Sequence, residues 1–181
     1  RLARLVGLPS GAAAGGVPAR GDERFDLDAL LEEELAVLAL KQNKAARFKY
    51  RGGAALHVRA DRAALTRAFE TGLELARACA SEGDLVRVIT GPADGAVRVQ
   101  IEFPAGPPAG RDPAGLFEPG ALDDSPLDLG DGDLAAARAV IRSQGGSMQV
   151  TALGEDELSI VVDLPAAEPA SAPPPGPAGA G

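Results

Sequence analysis

Five aspartates, Asp123, Asp124, Asp128, Asp131 and Asp133, crowd one short stretch of the chain. Clustered carboxylates can hold a hard cation such as Ca²⁺ through oxygen. The spacing does not match an EF-hand loop and no glutamate follows at the required distance, so the run reads as a solvated acidic lid. The string Gly130-Asp131-Gly132-Asp133 has the glycines of a phosphate loop but lacks the Lys and the Ser or Thr that such a loop needs. Glu70 and Glu74 lie one helical turn apart, a spacing open to an acid/base pair. With no neighbouring nucleophile or metal ligand they read as an exposed helix face, as does the run Glu32, Glu33 and Glu34. Cys79 and His57 are the only cysteine and histidine, which removes internal disulfides, the usual zinc sites and the common serine triads.

Composition narrows the partners. The formal net charge of -8 gives no electrostatic support to nucleic-acid binding and would be repelled by an anionic membrane surface. No apolar run reaches the length of a membrane span and the start lacks a signal-peptide core, so a soluble, cytoplasmic protein is expected. The abundance of Ala, Gly, Pro and Arg is that of a high-GC bacterial genome. A chain of 181 residues suits one core domain with tails.

The elements that would position these residues follow from periodicity. Arg1–Leu8 reads as a helix remnant, followed by a Gly-, Ala- and Pro-rich linker, so that residues 1–22 lie outside the domain. Asp26 is placed to cap a helix carrying Leu27, Leu30, Leu31, Leu35 and Leu38 and ending near Asn43. Phe48 and Tyr50, then Leu56 and Val58 around His57, alternate as short strands. Asp61 caps a second helix with Leu65, Ala68, Phe69, Gly72, Ala76 and Cys79 on one side. Leu85–Thr90 and Val97–Phe103 form a hairpin about GPADG, with Arg98, Gln100 and Glu102 on a wet face. Pro104–Gly130 is too long for a simple connection and reads as a mobile lid. A third helix over Leu134–Ser143 and two closing strands complete a domain over 23–165. Residues 166–181 cannot bury enough apolar surface to offset chain entropy and are expected to be disordered. The sum is an α+β, two-layer sandwich: a mixed, largely antiparallel sheet with about three helices on one face.

The order of these elements, with the strings FDLDALLEEEL, VRADRAALTRAF, LFEP, SQGGSMQV and ELSIVVDLP, resembles the catalytic and ATP-binding domain of sensor histidine kinases, within the histidine kinase-like ATPase superfamily. The resemblance runs from Arg24 to Pro165. It implies a nucleotide pocket built on an asparagine-box helix and two glycine boxes, and this sequence departs from all three. The metal-coordinating Asn falls on Leu75, which has no oxygen for Mg²⁺, with Thr71 one turn earlier. The basic residue that follows falls on Ala78, with Arg77 beside it as the nearest substitute. The base-contacting Asp of the first glycine box falls on Phe103, and its glycines on Ala105 and Pro107. Phe103 either projects into the adenine layer or ends a hydrophobic strand face, and both readings leave the base without its acceptor. The second glycine box appears as Asp131-Gly132-Asp133. There a carboxylate about 6 Å from a phosphate costs about 3 kcal/mol at an effective dielectric near 20, although Asp133 also suits a helix N-cap.

The resemblance therefore implies a two-component signal-transduction module with a degenerate, pseudokinase-like ATPase domain that acts by protein interaction. No catalytic residue, metal site or cofactor is expected, and Thr71, Leu75, Arg77, Phe103, Ala105, Asp131, Gly132 and Asp133 mark a vestigial nucleotide pocket. The implied partner is a response regulator or a kinase or phosphotransferase helix pair. A homodimer would form through a helix pair of which Arg1–Leu8 is either the tail or a diverged remnant. His57, in a strand, is a sheet-surface residue rather than a phospho-acceptor. The alternative is a live histidine kinase domain that uses ATP and Mg²⁺, supported by the intact LFEP and Gly145-Gly146.

Overall fold

A computed structural model of the chain describes residues 22–40, 46–106, 113–118 and 134–167. The helix remnant over Arg1–Leu8, the end of the first helix at Asn43 and the aspartates Asp123, Asp124, Asp128, Asp131 and Asp133 lie outside the described residues, as do Pro107 and the tail from Glu168.

The chain opens with β1 (Asp22–Asp26), which runs directly into α1 (Leu27–Leu40). The Asp26 carboxylate accepts the Asp28 N–H at 2.9 Å, capping the helix as its position predicts. Next come β2 (Arg47–Arg51), β3 (His57–Asp61) and α2 (Arg62–Cys79). Asp61 accepts the Ala64 N–H at 3.0 Å, which fixes the start of α2. A hairpin of β4 (Leu85–Ala93) and β5 (Ala96–Pro104) turns at Asp94-Gly95, where φ is positive at both residues, the backbone a tight two-residue hairpin demands. A 3₁₀ helix (Pro113–Phe117), α3 (Leu134–Ser143), β6 (Ser147–Ala152) and β7 (Glu157–Pro165) follow.

Five strands form one sheet in the order β2-β4-β5-β7-β6, with β2 parallel to β4 and every other pair antiparallel. β1 and β3 form a separate antiparallel pair. β1 is absent from the sequence expectation, which ended the linker at residue 22. Its DERFD string carries one buried residue, Phe25, too few for a period of two to register. Asp22, the first of the described residues, faces Asp61 in the ladder. At the other end Ala166 and Ala167, beyond the strand, donate their N–H groups to the Gly95 and His57 carbonyls.

One hydrophobic core lies between the sheet and the helices. Val97, Val99, Ile101 and Phe103 of β5 and Leu158, Ile160, Val162 and Leu164 of β7 face it, with Leu65, Phe69, Leu73 and Ala76 from α2 and Ala137 and Ile141 from α3. The three-helix α+β sandwich expected from periodicity is therefore the fold. The opposite sheet face carries Arg98 paired with Asp163, and Arg87 paired with Glu102 and Glu157. That face is not wet throughout, since Ser159 and Val161 of β7 are buried on it. At the end of α3, Gly145 takes the left-handed conformation and Gly146 approaches β7 so closely that a Cβ would stand 2.5 Å from the Asp163 carbonyl oxygen.

Candidate functional site

The residues the resemblance assigns to a nucleotide pocket come from α2 and from the end of β5. α2 is amphipathic, and its buried stripe of Leu65, Ala68, Phe69, Gly72, Leu73, Leu75, Ala76 and Cys79 is wider than the sequence spacing suggested, because it takes in Leu73 and Leu75. Leu75 is 0% exposed. Phe103, last of the inward-facing residues of β5, is also 0% exposed, and both belong to the one hydrophobic core. The positions assigned to the metal ligand and the base acceptor thus carry hydrocarbon side chains inside a packed core.

The surrounding residues are similarly committed. Thr71 donates its hydroxyl to the Arg67 carbonyl one turn back, at 3.0 Å. Arg77 is bound to Glu74 by a 2.6 Å ion pair within the same helix, so it does not stand free to replace the missing basic residue. That pair also corrects the reading of Glu70 and Glu74 as a plain exposed face. Beyond β5, the Ala105 N–H is donated to the Asp156 carbonyl at 2.9 Å. Gly106 then passes so near the end of α2 that a Cβ there would lie 2.3 Å from the Cys79 carbonyl oxygen. Burial pushes the Cys79 thiol up to about 11, only partly offset by the Gly106 N–H. Asp131, Gly132 and Asp133 lie outside the described residues.

Mg²⁺ and adenine do not match the chemistry present at these positions. Leucine offers no oxygen to a cation that demands it, and phenylalanine offers no acceptor to an amino group. Among the described residues no group of three His, Cys, Asp or Glu side chains could hold a metal ion.

The expected lid contains an anchored piece. Leu116 and Phe117 are buried, and the Arg138 guanidinium of α3 sits 4.1 Å above the centre of the Phe117 ring. Leu-Phe of LFEP is thus a packing anchor on α3 and β6 rather than part of a mobile stretch.

One polar cluster was missed from the sequence. Asp28, 5% exposed, accepts hydrogen bonds from the Thr90 hydroxyl at 2.6 Å, from the Tyr50 hydroxyl and from the Gly53 N–H at 3.2 Å. Burial pushes this carboxyl upward, but the hydrogen bonds from Thr90, Tyr50, Gly53 and Leu56 outweigh it and hold Asp28 below the ordinary aspartate value. Tyr50 is pushed well above the usual phenol range, first by burial and then by its bond to Asp28. Gly52 passes directly over the pair, since a Cβ there would come within 2.2 Å of the Tyr50 hydroxyl. The cluster ties α1 to β2 and β4; no nucleophile or cation is part of it. Asp28 is followed by apolar helix residues and looks like an ordinary first-turn acid, so nothing in the sequence marks it as buried. His57 lies in β3 as expected, with Nδ1 2.8 Å from the Ala55 carbonyl oxygen.

The fold is similar to that of histidine-kinase catalytic domains, and the likeness extends over most of the chain. A mycobacterial sensor histidine kinase, MprB, superposes with a TM-score of 0.65 over 80% of this chain and 97% of that one, at 21% identity. The catalytic domain of the histidine kinase ThkA, in a nucleotide-free form, gives a TM-score of 0.62 over 80% and 95% of the two chains at 18% identity. Full-length ShkA, in complex with AMPPNP, gives 0.59 over 81% of this chain and 31% of that one at 17% identity. No protein-family model and no curated protein matches the sequence. Identities this low carry the fold and nothing finer.

Proposed function

We propose that this chain is a two-component signalling module in which a histidine-kinase-type ATPase fold no longer uses nucleotide and works by binding another protein, in the bacterial cytoplasm. The observation that carries the reading is the complete burial of Leu75 and Phe103 at the positions assigned to metal and base. Ordinary micromolar to high-micromolar nucleotide affinity corresponds to roughly 6 to 8 kcal/mol. A missing metal ligand and a missing base contact each remove a few kcal/mol of it, and carboxylates at Asp131 and Asp133 would add repulsion. No catalytic residue is assigned, and neither ATP nor Mg²⁺ is a cofactor in this reading.

The partner chemistry follows from the resemblance: a response regulator, or the helix pair of a kinase or phosphotransferase. Calorimetric titration with ATP in the presence and absence of Mg²⁺ tests the proposal, with no heat of binding expected at sub-millimolar concentrations. The competing reading, a live kinase domain, is favoured by the docked Leu116-Phe117 pair and the intact Gly145-Gly146 turn. A clear heat of binding to the unmodified chain would establish that reading in place of ours.

A further inference from the structure

The end of the sheet away from β6 carries a concentration of positive charge in an acidic chain. β2 is the terminal strand, and Arg47, Lys49 and Arg51 alternate along it, all exposed, with Phe48 and Tyr50 between them turned toward the core. Lys49 stands directly opposite Arg87 in the ladder. Like charges facing each other across a ladder are destabilising. Arg87 is neutralised by Glu102 and Glu157, and Arg47 reaches the Gly83 carbonyl at 3.2 Å. Lys49 and Arg51 form no ion pair among the described residues.

Among the described residues, the backbone of this strand is half used. Arg47 donates its N–H to Asp84 at 2.8 Å, beside its ladder partner Leu85. In a parallel ladder the groups of alternate residues point the same way. Arg47, Lys49 and Arg51 therefore address β4, and the N–H and C=O groups of Phe48 and Tyr50 point away from the sheet.

We propose that the free edge of β2 is a docking strand for an extended acidic segment of a partner protein, with carboxylates at alternate positions. A strand added here would bond to the Phe48 and Tyr50 backbone and set every second side chain beside Arg47, Lys49 and Arg51. Carboxylates spaced two residues apart would meet all three cations at once. A second copy of this chain is the wrong occupant, because two such edges would bring six cations together, which is also how cationic edges resist self-pairing. Nucleic acid and anionic membranes are disfavoured by the net charge of -8. The site lies on β2, apart from the residues assigned to nucleotide, and its test is independent of whether ATP binds.

The experiment is a titration of the full chain, followed by amide NMR, with an acetylated peptide of sequence Thr-Glu-Val-Glu-Val-Glu-Thr. The control peptide has the same composition with the three glutamates consecutive. The expected result is a shift of the Phe48 and Tyr50 amides. The alternating peptide should bind roughly fivefold or more tighter than the control, and roughly tenfold weaker when salt rises from about 0.05 M to about 0.5 M. Lys49→Glu with Arg51→Glu should abolish the shifts while the β4 and β5 amides keep their dispersion. Should that pair disturb the fold, Lys49→Gln with Arg51→Gln serves the same comparison. Equal binding of both peptides, shifts elsewhere, no shift at about 1 mM peptide, or stronger effects from an anionic vesicle or a DNA duplex would each overturn the proposal.

Discussion

Thr90 on β4 donates its hydroxyl to the Asp28 carboxylate on α1 at 2.6 Å, joining positions 62 residues apart in sequence. Tyr50 and the Gly53 N–H bond the same carboxylate, so one buried side chain fastens the first helix to the edge of the sheet. Hydrogen bonds to a charged group contribute about 1.5 to 3 kcal/mol each, and a donor left facing another donor costs more. Asp28→Asn should therefore lower the unfolding free energy by about 2 kcal/mol at neutral pH, measured by urea titration. The pH dependence has a definite sign. Because the native carboxyl is held below its ordinary 3.8, its contribution is full above that value and lost as pH falls through the lower native one. The gap between wild type and variant should stay constant from neutral pH to near 4 and close below it. A gap that persists unchanged in strong acid would show that Asp28 acts through shape and not charge.

Tyr50 gives the complementary alkaline test. Its native phenol ionises above the ordinary 10.0, so its contribution is present below that pH and is lost as pH rises beyond it, when only the unfolded chain gives up the proton. Tyr50→Phe should be less stable at neutral pH but should decline less steeply above pH 10. Since Tyr50 is the only tyrosine and the chain has no tryptophan, near-ultraviolet phenolate absorbance follows this one group. Ionisation at the ordinary value would sink the account.

How much of this was legible in the sequence depended on local against distant causes. α2 and α3 declared themselves through apolar spacing and, for α2, through the Asp61 cap, and the β4–β5 hairpin through Asp94-Gly95. β1 did not, because a five-residue strand with Phe25 as its one buried residue leaves no alternating pattern. The Asp28 cluster was invisible because its partners arrive from two distant stretches of the chain, Tyr50 with Gly53 and then Thr90. Leu75 and Phe103 could be placed by resemblance, whereas their complete burial needed the tertiary fold.

Gly72 offers a stabilising change. It sits in the interior of α2, and a Cβ there would lie 3.5 Å from the Cδ1 atoms of both Ile101 and Ile160, ordinary van der Waals distance. Gly72→Ala gains helix propensity without crowding and should raise stability by about 0.5 to 1 kcal/mol in thermal or chemical unfolding. A loss instead would show that α2 packs on the sheet more tightly than these distances allow.

The C-terminal boundary can be located by truncation. Ala166 and Ala167 donate their N–H groups to Gly95 and His57, at 3.2 and 2.8 Å. Deleting residues from Glu168 onward should leave the melting temperature nearly unchanged, while deleting from Ala166 should lower it by a few degrees, the size expected for two lost hydrogen bonds. Equal effects of the two deletions would remove the boundary from Ala167.

The sharpest test of the nucleotide reading is to restore the polar residues and ask what the core tolerates. Leu75→Asn deletes a fully buried leucine and places an amide in apolar surroundings, so it should cost about 3 kcal/mol or more. Phe103→Asp should cost at least as much, since it adds a charge at a position with no solvent access. Gly106→Ala should also destabilise, by about 1 to 3 kcal/mol, because its Cβ would strike the Cys79 carbonyl. A ligand at ten times its dissociation constant returns only about 1.4 kcal/mol, so Mg-ATP should rescue none of these variants. Joining Leu75→Asn and Phe103→Asp with Asp131→Gly should give a chain that binds nucleotide only to the extent that it still folds. The comparison is made by thermal unfolding with and without Mg-ATP. A Leu75→Asn variant that keeps wild-type stability and gains a thermal shift with Mg-ATP would place that side chain beside a solvated pocket, and the fold would then have to be counted as a nucleotide-binding one.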